Sequence, residues 1–160
     1  MRIAITALAA CALLALAGCA RNEPTKATAA SSAAGQLANA STTVGGVTLQ
    51  TSTVAIADLN ETIARRYGID RAREGLLLLV TVRDPAGNGI DPGDLQLTAT
   101  AGVLPDPPKP LALRAIRNAD MTDYIGVLEA RAPASVQFRL AATRSGARAD
   151  LAMTAELYPR

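Results

Sequence analysis

The chain has 160 residues, with 16 Lys and Arg against 14 Asp and Glu, no His, no Trp, two Cys and 2% aromatic residues. The absence of histidine removes the commonest general base and the commonest zinc ligand. Near-balanced charge excludes the basic stripe of a nucleic-acid binder, and so few aromatics leave little on which bases or sugars stack.

Met1 and Arg2 put a positive charge at the start, residues 3–16 are apolar or small, and Leu16-Ala17-Gly18-Cys19 closes the run. This is the layout of a cleaved signal peptide over residues 1–18, too short for a spanning helix, which needs about 20 apolar residues. The tetrad resembles a bacterial lipobox, rather than an ordinary signal peptide with a chance cysteine. The resemblance implies that Cys19 becomes the first mature residue and carries a diacylglyceryl thioether and an N-acyl (palmitate) chain, enough for stable anchoring. Ala20 resembles the outer-membrane default, so the expected address is the periplasmic face of the outer membrane. Cys11 leaves with the signal peptide and Cys19 is acylated. The folded part then has no thiol for a disulfide, a nucleophile or a metal. Removing Arg2 leaves 15 basic against 14 acidic residues, a nearly neutral mature chain.

Residues 20–46 are dominated by Ala, Ser, Thr, Gly and Asn. Such a composition buries too little apolar surface to offset ordering entropy, so residues 19–46 are expected to be the lipidated cysteine and a flexible tether. The domain is expected to occupy residues 47–160. Its first strand is read over residues 47–56 from the alternation of Val47, Leu49, Thr51 and Thr53 with Thr48, Gln50 and Ser52. Asn60 is a helix N-cap signal with Glu61 in the first turn, Ile63 and Tyr67 share a face, and Gly68 supplies a left-handed stop.

The apolar run 76–82 is expected to be a central strand buried on both faces, and residues 85–89 a turn. Alternation places further strands over 94–101, 111–117, 122–130, 135–143 and 149–157, the last two joined by a Ser145-Gly146 turn. Residues 102–110 contain Pro105, Pro107, Pro108 and Pro110 and are read as loop. Regularly spaced strands with one helix point to an all-β fold. The expected form is an antiparallel β-sandwich, immunoglobulin-like or similar, with about seven strands and a short helix after the first.

The stretch Leu59-Asn60-Glu61-Thr62-Ile63-Ala64-Arg65-Arg66-Tyr67-Gly68-Ile69, then Arg71, the apolar strand, residues 111–117 and Tyr124-Ile125 resemble an uncharacterised family of exported gammaproteobacterial proteins, domain of unknown function 4426. The likeness spans most of residues 47–159 and departs at 102–110, where the family has an Asn-Leu stretch and this chain has prolines. It implies a fold and an exported address and carries no activity.

Candidate binding residues are Tyr67, Arg71, Arg114 and Tyr124. Arg71 presents a fork that suits a carboxylate or phosphate; alternatively Tyr67 packs the helix on the sandwich and Arg71 caps backbone carbonyls. Asp84, Asn88, Asp91 and Asp94 gather oxygens that calcium would accept, or that turns require. Asp120 and Asp123 have the look of a carboxylate pair, or of strand-entry residues. There is no nucleophile elbow and no phosphate loop. The expectation is therefore a non-enzymatic module without metal or cofactor, held on the membrane at Cys19 and docking a periplasmic protein rather than nucleic acid. A small-ligand or calcium-binding domain is the alternative.

Overall fold

The computed structural model describes residues 38–119 and 121–160. The described residues form nine strands: β1 Asn39–Val44, β2 Val47–Ala55, β3 Gly75–Arg83, β4 Gln96–Val103, β5 Lys109–Leu111, β6 Arg114–Asn118, β7 Met121–Glu129, β8 Ala134–Arg144 and β9 Ala147–Leu157. One helix, α1 Glu61–Tyr67, follows β2 after a single 3₁₀ turn. All pairings are antiparallel, in a five-stranded sheet of order β1-β2-β3-β7-β6 and a four-stranded sheet of order β5-β4-β8-β9. The expected antiparallel sandwich is the observed fold, with nine strands in place of seven.

The inner faces supply the main core. Leu49, Leu76, Leu78, Val80 and Val82 from the first sheet meet Val136, Phe138, Leu140, Leu151 and Met153 from the second. Phe138 is completely buried. Gly126 faces this interior, and a Cβ built on it would lie 2.8 Å from Leu111 Cδ2. The missing side chain lets Leu111, at the edge of the second sheet, seat directly on β7. A second, smaller core lies on the opposite face of the five-stranded sheet, where Ile56, Leu59, Ala64 and Tyr67 cover Leu77 and Ile125. This is why β3 is apolar at consecutive positions: one face looks into the sandwich and the other lies under the helix.

The helix has the expected boundaries. Thr62 N donates to Asn60 Oδ1 at 2.8 Å, and Gly68 takes the left-handed conformation at φ 63°. Both ends thus satisfy backbone groups that a seven-residue helix leaves open.

Three expectations need correction. The ordered domain begins before Val47, because residues 39–44, assigned to the tether, form β1. It pairs along β2 through a Gly45–Gly46 turn with φ 51° and 80°, the two-positive-φ geometry that suits a tight hairpin. Only Val44 of this strand is buried, so its apolar signal is faint. The single strand expected over 111–117 is two, because the chain leaves the second sheet at Leu111 and joins the first at Arg114. The 102–110 segment is only partly loop: β4 runs to Val103, and Pro110 sits in β5, an edge strand where a missing N–H breaks no ladder.

Candidate functional site

The four candidate binding residues do not converge. Tyr67 is buried under the helix on the outer face of the five-stranded sheet, and Arg114 on β6 donates from Nη2 to its backbone carbonyl. That bond fastens the end of α1 to the sheet edge. Arg71 donates from Nη2 to Ala57 O at 3.2 Å, closing the corner between the 3₁₀ turn and the segment after the helix. Tyr124 pairs with Val80 and packs against the main core, on the other face of the same sheet. Its phenol is raised above the ordinary tyrosine range by burial and by the charge of Asp91, with Arg117 acting in the opposite sense.

The oxygen-rich loop is occupied by its own turns. Asp84 Oδ1 accepts from Asn88 N at 2.8 Å and Oδ2 from Asn88 Nδ2 at 3.2 Å. These bonds hold the Asp84 carboxyl below the usual range, the backbone bond contributing most. Asp91 Oδ1 accepts from Gly93 N at 2.7 Å, and Asp94 Oδ2 accepts from Ser145 N at 2.8 Å across the sandwich end. Among the described residues no three acidic side chains gather as a metal-ligand set. Asp120 lies outside the described residues, as does Cys19.

A different grouping emerges around Asp123. It stands on β7 opposite Thr81 of β3 and Ile116 of β6, on the outer face just past the part that the helix covers. Burial raises its carboxyl above the ordinary range, and only the charge of Arg83 opposes this. Burial raises the Tyr67 phenol too, and the charge of Asp123 adds to the rise while Arg66 lowers it. Next to this carboxylate runs a trough of about 540 Å³ across β1, β2 and β3, with Ser41, Gln50, Ser52, Thr81 and Arg83 in its lining. Arg83 is held there by donating to Gln50 Oε1 at 2.9 Å and to Gly87 O at 3.0 Å.

Arg83 and Gln50 escape a sequence reading because they are 33 residues apart and face one another only through the β2–β3 register. The available signal was parity: Gln50, Ser52, Thr81 and Arg83 are the polar members of their alternating runs, and all fall on one face.

A two-sheet antiparallel sandwich with a capped helix on one outer face and a polar field beside it defines the class: a small all-β domain whose described surface offers a trough rather than a deep cleft. The family model described as Domain of unknown function (DUF4426) matches residues 41–160, and the chain belongs to that family. Among solved structures, it resembles a DUF4426 family protein from Pseudomonas aeruginosa PAO1, with TM-score 0.60 and 14% identity over 76% of this chain and 96% of that one. It also resembles FetP of uropathogenic Escherichia coli strain F11, with TM-score 0.50 and 11% identity over 77% of this chain and 95% of that one. At these identities the likeness is one of fold. No curated protein matches the sequence.

Proposed function

We propose that this protein is a lipid-anchored, non-catalytic accessory module on the periplasmic face of the outer membrane, which binds a periplasmic protein through the uncovered polar part of the five-stranded sheet. The observation that carries the docking surface is the field formed by Ser41, Gln50, Thr81, Arg83 and Asp123 beside α1. It combines a positioned guanidinium, a carboxylate with no hydrogen bond among the described residues and several hydroxyls, groups that give a surface its specificity. The address rests on Leu16-Ala17-Gly18-Cys19 upstream of the first strand.

The test is a photo-crosslinker placed in cells at Ser41, in the trough, and at Thr154, on the outside of the other sheet. A discrete protein adduct from Ser41 alone is the expected result. Equal labelling from both positions, or none from Ser41, removes the docking reading.

The trough itself favours a second reading, a small polar ligand held over β1–β3 against Arg83 and Gln50. A thermal-shift panel of polyols and zwitterions separates the two, since a protein-docking face gives no shift with any of them.

A further inference from the structure

The strand directions sort the molecule into two ends. At one lie the Gly45–Gly46 turn, the loop from Asp84 to Asp94, whose one large apolar residue, Ile90, packs on the main core, and the Ser145–Gly146 turn. At the other lie the start of β1, the corner between β2 and β3, the loop after Val103, the loop before β8 and the chain end after β9. Three large hydrophobic side chains are exposed among the described residues: Leu104 (47%), Tyr158 (62%) and Met121 (38%). Met121 belongs to the first end and lies against Gly89. Leu104 and Tyr158 belong to the second.

These two flank the start of β8. Leu104 N donates to Ser135 O at 2.8 Å, and Tyr158 follows Leu157, which pairs with Ala134. They therefore stand about two strand spacings apart, roughly 10 Å. Ala38, the first described residue, lies at this same end, because its carbonyl accepts from Thr53 N at 3.1 Å just before β1, and β1 packs against β9. The charges there are largely balanced. Arg73 pairs with Glu129 and Arg160 with Asp58, while Arg131, Glu74 and Asp106 are exposed.

We infer that this end of the sandwich rests on the bilayer surface, with Leu104 reaching into the acyl boundary and Tyr158 at headgroup depth. The inference rests on the reading of Cys19 as the acylated residue. Residues 20–38 span at most about 65 Å even when fully extended, so an anchored chain holds this end at a high local concentration over the membrane. Tyrosine, apolar at the ring and polar at the hydroxyl, belongs at that interface. Balanced charge gives this end no net attraction to anionic lipid, so the contact is expected to be insensitive to salt.

The chain has no Trp, so Tyr158→Trp introduces a single reporter. The full lipidated protein carrying it is placed in phosphatidylcholine vesicles with plain or brominated acyl chains, alongside an Arg148→Trp protein whose reporter lies near the opposite end. At least twofold quenching by brominated lipid in the Tyr158→Trp protein, none in the Arg148→Trp protein, and loss of that quenching when Leu104→Asp is added are the expected results. Vesicle-bound protein with equal or no quenching in the two reporters overturns the membrane contact while leaving the anchor intact. Absence of acyl mass at Cys19 overturns both the contact and the anchored function.

Discussion

Asp123 illustrates how one side chain is read differently once its neighbours are known. By spacing it belongs with Asp120; in the fold its electrostatic neighbours are Arg83 and Tyr67. Its carboxyl is raised above the ordinary range by burial, so the folded state holds the proton more firmly than the unfolded one. The sign follows from linkage. Folding gains from the protonated carboxyl below the unfolded pKa, and that gain is lost as pH rises through the folded pKa. Asp123→Asn is therefore expected to leave stability equal to or above that of the parent at pH 7 and to give up any advantage near pH 3, as melting temperatures across that range will show. The same substitution removes a negative charge beside Tyr67, so absorbance titration at alkaline pH should find one tyrosine ionising earlier than in the parent. No change in either profile would separate Asp123 from the helix. Tyr67 and Arg71 are read correctly in their structural alternatives, one packing α1 and the other bonding a corner carbonyl. Arg114 bonds the Tyr67 carbonyl 47 residues away, a partner that nothing local in residues 111–117 announces.

The elements divide by the strength of their local chemistry. α1 is legible to the residue, since Asn60 and Gly68 have conformational roles that hold wherever the helix docks. β3 is legible as a strand with two buried faces, although only the fold reveals that a helix lies on one of them. β1 is not legible as core, since its stability comes from pairing with β2 and from Thr51, whose hydroxyl bonds Ala40 O at 2.9 Å. Deleting residues 1–46, as the composition alone recommends, should cost at least about 2 kcal/mol through the buried Val44. It also exposes the edge of β2 to association. A form starting at Ala38 should retain the full urea midpoint and the parent's association state. Equal midpoints for the two truncations would return residues 39–44 to the tether.

At the scale of the whole molecule, stability depends on the meeting of the two inner faces, and Phe138 stands at the centre of that contact with no exposure. Phe138→Ala should cost about 3–5 kcal/mol, a large part of the roughly 5–15 kcal/mol typical of a domain. Urea unfolding should show a lower midpoint with the slope unchanged; a smaller loss would mean that the sheets close over the gap. Strand alternation, the helix and its caps, the antiparallel sandwich class and the family resemblance are all legible in the linear chain. The alternation and the caps follow from residue types within a few positions of one another, and the sandwich class and the resemblance from the order and spacing of those local signals along the chain. Folding adds that residues 111–117 are divided between sheets, that Leu111 seats on Gly126, that Arg83 faces Gln50 beside Asp123, and that Leu104 and Tyr158 share the end where Ala38 lies. Those facts depend on strand order and register, which are set by side chains far apart in the chain competing for the same interior, and no local pattern records the outcome of that competition.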